Sequence, residues 1–86
     1  MATIPTVHLN GTSFTNLRDG YAAAYDAIDK AIEALAKAEL NARDFYVQGP
    51  GSYCEARKER DLAFAKLRSA RKYVGEILVG ICDQQR

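Results

Sequence analysis

The chain has 86 residues and a formal net charge of +1, with twelve basic and eleven acidic side chains. This length allows one domain, residues 1–86, and one that buries only about 60% of the surface its unfolded chain exposes. The near-neutral charge does not favour nucleic acid as a partner. No apolar run approaches the roughly 18 residues that cross a bilayer. The sequence therefore predicts a small soluble domain that does not bind a membrane, and it does not favour nucleic acid as a partner.

An extended N-terminal segment, residues 1–12, leads into a first helix predicted over about 15–40. Apolar residues recur there in alternating steps of four and three, the spacing of a coiled-coil seam: Leu17, Tyr21, Ala24, Ile28, Ala31, Leu35 and Ala38. Three hydroxyl residues lie at the start of the helix and can supply its N-cap: Thr12, Ser13 and Thr15. Gly20 inside the pattern costs up to about 1 kcal/mol, which predicts a close approach of another backbone or a ligand there.

A connecting loop, residues 41–52, contains Gly49-Pro50-Gly51 and separates this helix from a second one over about 53–83. Ser52 and Glu55 have the spacing of a capping box, in which the Ser52 hydroxyl accepts from the amide of Glu55. The apolar seam again alternates steps of three and four: Tyr53, Ala56, Arg60, Ala63, Leu67, Ala70, Val74, Ile77 and Ile81.

Each helix carries alanine at one heptad position three times in a row. If the chain folds back about residue 47, these alanines meet as Ala24/Ala70, Ala31/Ala63 and Ala38/Ala56. The predicted fold class is therefore all-α, an antiparallel two-helix hairpin with an alanine-rich coiled-coil seam. Alanine buries little apolar area, so one hairpin falls short of the stability of an ordinary domain. We expect a helical-bundle homo-oligomer, of which a four-helix bundle is the simplest form.

A second apolar face lies beside the seam. Near the C-terminal end of the second helix, apolar residues occupy nearly every side from Val74 to Ile81. Ile4, Val7 and Leu9 of the N-terminal segment are predicted to cover this end.

Motifs that carry chemistry are few. His8 is the single histidine, and neither HExxH nor CxxC occurs, so no metal site, cofactor or catalytic activity is expected. The two cysteines, Cys54 and Cys82, fall on one predicted helix about 42 Å apart, too far to pair within a chain. They are predicted to be reduced thiols, with a bridge between chains as the alternative.

Two polar clusters lie at helix ends. Residues 8–13 include His8 and Asn10, and helix capping accounts for most of this cluster. The loop contains the run Arg43-Asp44-Phe45-Tyr46, although a turn requires neither an arginine nor two aromatic rings. The alternative to a binding site is a local contact between Arg43 and Asp44, with Phe45 packed into the mouth of the hairpin.

The second helix is rich in basic residues, most of which alternate with acids and fit a solvated face. Arg60 differs because it holds a seam position. It is expected either to pair with Glu39 or Asp44, or to line a pocket at the loop. Arginine forks and tyrosine rings suit the phosphates and bases of a nucleotide. The candidate ligand-binding residues are Arg43, Tyr46, Tyr53, Arg57 and Arg60, joined by His8 and Asn10 from the neighbouring chain of an antiparallel dimer.

The N-terminal HLNGTS, the tyrosine-rich first helix, the NARDFYVQGP loop and the ARKERD opening of the second helix resemble a group of small uncharacterised proteins of tailed bacteriophages and prophages. The resemblance covers nearly the whole chain, and HLNGTS and NARDFY are its specific parts. It implies a phage accessory protein in the cytoplasm of a bacterial host.

Small helical phage proteins of similar size assemble into oligomers that sequester cyclic-nucleotide or ADP-ribose-derived signals of bacterial immunity, as the anti-CBASS and anti-Thoeris sponges do. This chain shares their size and shape rather than their motifs. The first hypothesis is therefore a non-enzymatic protein that binds and sequesters such a nucleotide-derived signal. The alternative is a phage structural or protein–protein interaction module, with a host or virion protein as partner and no small-molecule ligand.

Overall fold

The computed structural model describes residues 2–85, which form two long helices and contain no strand. Helix α1 spans Phe14–Lys37 and helix α2 spans Ser52–Asp83. Two short 3-10 helices, Ala42–Asp44 and Tyr46–Gln48, lie in the connection between them. The predicted all-α class is confirmed. None of the helices in this part of the chain is long and apolar enough to cross a bilayer.

The two long helices begin in different ways. Ser13 caps α1 as predicted, because its Oγ accepts a hydrogen bond of 3.1 Å from the amide of Asn16. The N-cap of α2 is Gly51, which has a left-handed backbone with φ +87° that favours glycine. Its carbonyl accepts the first helical bond from the amide of Glu55 at 3.0 Å. Ser52 is already inside the helix, so the predicted capping box is wrong.

Helix α1 ends at Lys37, three residues before the predicted end, and an arginine of the other helix caps it. The Arg60 guanidinium donates to the carbonyls of Leu35 at 2.8 Å, Ala36 at 3.1 Å and Ala38 at 3.1 Å. The last carbonyls of a helix have no partner within it. Because Arg60 supplies their donors from α2, α1 can stop without a glycine cap.

The helices pack side by side with opposite chain directions. Near the loop Arg60 of α2 contacts Leu35 of α1, and further from the loop Arg71 Nη1 lies 2.6 Å from Asp29 Oδ1. The result is a rod of 61 × 21 × 19 Å. Its radius of gyration is 18.7 Å, against about 12 Å for a compact domain of this length.

The prediction that three pairs of alanines meet between the two helices is wrong. One member of each predicted pair is exposed: Ala70, Ala31 and Ala38. At 100° per residue these alanines lie to one side of the line that joins the helix axes. Larger residues fill the other side, where Ile32, Phe64 and Arg71 are half-buried. The hairpin is therefore closed by large side chains on one side and left open along its alanines on the other.

The best-buried residues lie at the end of the rod opposite the loop. Val74, Ile77 and Ile81 are 7%, 1% and 0% exposed, and they are the buried hydrophobic residues of the described chain. The N-terminal segment crosses this end. Ile4 packs onto Gly80, where an added Cβ would lie 2.7 Å from the Ile4 Cγ2.

The predicted cover by the N-terminal segment is confirmed for Ile4, which packs onto Gly80, and wrong for Leu9, which is 98% exposed. Val7 is half-buried. Gln84 holds the segment in place through its side-chain amide. Its Nε2 donates to the Pro5 carbonyl at 2.8 Å, and its Oε1 accepts from the Val7 amide at 2.8 Å. One side chain thus satisfies both a donor and an acceptor of an extended backbone.

Close approaches to glycine occur at other positions than the one predicted. A Cβ added to Gly20 would meet nothing within 4 Å, so the expected close approach is absent from residues 2–85. At Gly75 an added Cβ would lie 3.2 Å from the Tyr25 ring. Gly75 and Gly80 therefore make room for a ring and for the N-terminal segment.

Candidate functional site

Aromatic and basic side chains meet where the loop joins α2. The ring centroids of Phe45 and Tyr53 are 6.1 Å apart and the rings are tilted by 51°. The Arg57 guanidinium lies 5.9 Å from the Tyr53 ring centroid, within reach of a cation–π contact. Phe45 is half-buried, which agrees with packing into the mouth of the hairpin. This part of the candidate site is therefore ordered by contacts of its own.

Arg43 and Tyr46 extend from the loop into solvent. Tyr46 is 76% exposed. Arg43 lies in the short helix Ala42–Asp44, and its guanidinium has no hydrogen bond or ion pair with any residue from 2 to 85. The local contact with Asp44 is accordingly not formed within that range. The donors of Arg43 remain available to a ligand.

Arg60 has a different environment from the other candidate residues. Its guanidinium donates to the last carbonyls of α1 and lies 5.5 Å from the Phe64 ring centroid. The expected pairing of Arg60 with Glu39 or Asp44 is wrong, and Glu39 instead accepts from Asn41 Nδ2 at 2.8 Å. Arg60 thus holds the end of α1 against α2 and positions the loop beside the candidate site.

The charges around the loop are divided between two surfaces. A groove on one side is lined in part by Phe45 and by two carboxylates, Glu55 and Glu59. A shallow depression contains Arg57 and Lys58 together with Cys54 and Asp61. An anion is favoured on the Arg57 side because the groove presents negative charge. Lys58 was not among the residues chosen from the sequence, and its Nζ lies 3.6 Å from Glu55 Oε1 in an exposed ion pair.

His8 and Asn10 lie at the other end of the molecule. The amide of Gly11 donates to the His8 carbonyl at 3.2 Å, which closes a turn, and the His8 ring lies over Gly11. Helix α1 has 24 residues, which corresponds to about 36 Å. The turn and the loop are therefore at opposite ends of the rod. Within one chain the structure does not bring the two predicted clusters together.

Two cysteines are the remaining reactive side chains near the ends of α2. Cys54 and Cys82 are both free and exposed, and both lie on α2. Residues 2–85 contain no group of three or more His, Cys, Asp or Glu side chains placed to hold a metal ion. At the loop end, the thiol of Cys54 lines the same depression as Arg57.

Comparisons with known proteins identify no relative of this chain. No protein-family model matches it. No curated protein and no solved structure matches it either. The function is therefore inferred from the residues of the site.

Proposed function

We propose that this chain is a non-enzymatic binding protein of phage origin that, as a homo-oligomer in the bacterial cytoplasm, sequesters a nucleotide-derived anion of the cyclic-nucleotide or ADP-ribose class. The arrangement at the loop supports this proposal. The Arg57 guanidinium lies against the Tyr53 ring, while Arg43 and Tyr46 extend into solvent. Guanidinium groups bind phosphate through paired hydrogen bonds, and tyrosine rings stack on bases.

The contrast with other arginines strengthens the assignment. Arg60 uses its donors on α1, Arg71 pairs with Asp29, and Arg18 pairs with Asp19 at 3.0 Å. Arg43 has no such commitment within residues 2–85. An exposed arginine that neither caps a helix nor pairs with an acid has its full hydrogen-bonding capacity left for an anion.

A second chain would complete the site. Within one hairpin Tyr46 is 76% exposed and the depression at Arg57 is shallow, so a single chain encloses little of a ligand. If two hairpins lie antiparallel, the loop of one comes beside the His8 turn of the other. His8 and Asn10 can then donate to a ligand held by Arg43 and Arg57 of the other chain.

A second candidate function is supported by a different observation. Leu62 and Tyr73 on α2 are 63% and 52% exposed. They lie eleven residues apart, hence about 20° apart around the helix. Large exposed side chains on one side of a helix fit a protein partner, as in a phage structural or interaction module without a small ligand.

Thermal unfolding with a panel of cyclic dinucleotides, cyclic trinucleotides and ADP-ribose isomers tests the first proposal. A ligand at 100 times its dissociation constant stabilises the native state by about 2.7 kcal/mol. For a domain of this size the melting temperature then rises by roughly 10 °C or more. Arg57→Ala is expected to abolish this rise. Arg68→Ala is the matched control, because Arg68 also lies over a ring, 6.0 Å from the Phe64 centroid, but away from the loop.

Two results would count against nucleotide binding. One is a melting temperature that no probe raises at concentrations well above micromolar. The other is a ligand-induced rise that survives Arg57→Ala and Arg43→Ala unchanged. Loss of partner capture in Leu62→Glu, with no response to any nucleotide, would favour the interaction module instead.

A further inference from the structure

One side of α1 carries no charge from one end of the helix to the other. At 100° per residue, six small residues fall within an arc of about 80°, and all six are exposed: Gly20, Ala23, Ala27, Ala31, Ala34 and Ala38. We call this surface the alanine face. The charged residues of α1 lie outside this arc. A solvated helix face normally carries charge, so a charge-free side requires another explanation.

The alanine face is bordered by α2 on the same side of the hairpin. The contact between Tyr25 and Gly75 marks one side of the seam. Because the helices are antiparallel, the sides of α1 and α2 that lie away from this contact point in the same direction. On α2 that arc contains Ala63 and Ala70, and it also contains the exposed Glu59 nearer the loop. The charge-free surface is therefore that of α1, bordered on α2 by two alanines.

The chain itself covers this side of α2 at one end. Ile77 and Ile81 lie on the same arc as Ala70 and are 1% and 0% exposed, at the end of the rod where Gln84 holds the N-terminal segment. Beyond the segment, towards the loop, residues 2–85 provide no such cover. The alanine face of α1, by contrast, is exposed along its whole length.

The accessible surface area of the chain is larger than that of a compact monomer of the same mass, as expected if a packing partner is missing. Its accessible surface is 6428 Å², against about 5,050 Å² for a compact monomer of 9.5 kDa. A standard interface buries about 800 Å² of each partner. An interface of this size would remove more than half of the difference between the area of this chain and that of a compact monomer.

The spacing of small residues identifies the partner. Read in either direction along α1, the face is nearly the same, since Gly20 corresponds to Ala38 and Ala27 to Ala31 about a centre at residue 29, and Ala23 and Ala34 are symmetric about a point half a residue away. A two-fold interface requires this self-complementarity. We infer that the alanine face is the interface with a second copy of this chain, in which the two α1 helices lie antiparallel.

This arrangement has a consequence for both ends of the rod. With a two-fold axis near residue 29, Gly20 of one chain faces Ala38 of the other, so each loop comes beside the other chain's N-terminal turn. The interface requires no ligand. The interface can therefore form even if no nucleotide binds, whereas the shared nucleotide site rests on this interface.

The mass of the protein in solution, measured by sedimentation equilibrium, tests the inference. The wild-type chain is expected to sediment at twice its 9.5 kDa mass. Ala27→Glu places two carboxylates in the proposed interface and is expected to raise the dissociation constant at least about 100-fold. Ala22→Glu is the control, because Ala22 is exposed on the charged side of the same helix, and we expect less than about a threefold change.

A monomeric wild-type chain at about 100 µM, or equal effects of the two substitutions, would overturn the inference. Circular dichroism verifies that Ala27→Glu remains helical. If it unfolds, nitroxide labels decide the matter in a Cys54→Ser, Cys82→Ser background. The antiparallel register places labels at Lys30 about 3 Å apart along the axis and labels at Lys37 about 24 Å apart. A parallel pair would give equal separations and contradict the inference.

Discussion

Replacing Arg60 with methionine removes a cap that one helix provides for the other. The bond to the Leu35 carbonyl is part-buried, while those to Ala36 and Ala38 are exposed. A charge-assisted bond contributes about 1.5 kcal/mol when part-buried, and an exposed one about 0.5 kcal/mol. The positive charge at the C-terminus of α1 adds about 0.5 kcal/mol. We therefore expect Arg60→Met to lower the free energy of unfolding by about 2–3 kcal/mol.

Urea unfolding followed by circular dichroism at a fixed protein concentration measures this loss. Arg68→Met is the matched control, because Arg60 and Arg68 lie 5.5 Å and 6.0 Å from the same Phe64 ring. Only Arg60 reaches carbonyls of α1. If the two substitutions lower the free energy of unfolding by the same amount, within about 0.5 kcal/mol, the capping role of Arg60 is refuted. The donors of Arg60 would then be free for a ligand.

Two further predictions concern the N-terminal segment. Gly80→Ala is expected to destabilise the fold by about 1–2 kcal/mol, because the added methyl group pushes Ile4 aside. In an Ile4→Ala background the same substitution is expected to stabilise the fold by up to about 1 kcal/mol. Thermal unfolding of the four variants measures both effects, and equal effects in the two backgrounds would contradict the contact between Ile4 and Gly80. Gln84→Ala removes the partner of the Val7 amide, so hydrogen exchange at Val7 should accelerate at least tenfold, and unchanged protection would argue against the clamp.

The helices and their antiparallel pairing were predictable because a long 3.5-residue pattern interrupted by Gly49-Pro50-Gly51 allows few other folds. The helix ends were less predictable. The capping box failed because Gly51 took the N-cap in a left-handed conformation, which left Ser52 inside α2. The early end of α1 depends on Arg60, a residue 22 positions away from Ala38.

The alanines show where periodicity alone is insufficient. A heptad pattern identifies the buried positions of a helix but does not distinguish the layer inside a hairpin from the layer between two hairpins. Larger neighbours such as Ile32 and Phe64 close the hairpin on one side. This leaves Ala31 and Ala70 exposed in the single chain, where the sequence pattern had placed them inside.

The candidate site was predictable in its residue types and only partly in its arrangement. The cluster of Tyr53, Arg57 and Phe45 follows from local spacing at the loop. The distance of His8 from that cluster follows from the length of α1 and was implicit in the predicted hairpin. The commitment of Arg60 to backbone carbonyls was not predictable, because nothing in a sequence distinguishes a guanidinium that binds a ligand from one that caps a helix.

Ligand binding by a mixture of two inactive variants tests the central claim, that one site is shared between the ends of two chains. Asn10→Ala disables the N-terminal contribution and Arg57→Ala the loop contribution. After equal mixing and subunit exchange, half of the dimers carry one variant of each kind, and each of these retains one intact site. The account predicts that calorimetry with a cyclic dinucleotide bound by the wild type finds about a quarter of the wild-type capacity in the mixture and none in either variant alone. No recovery in the mixture would contradict a shared site, and no binding by the wild type to any of the nucleotide probes would contradict the proposed function itself.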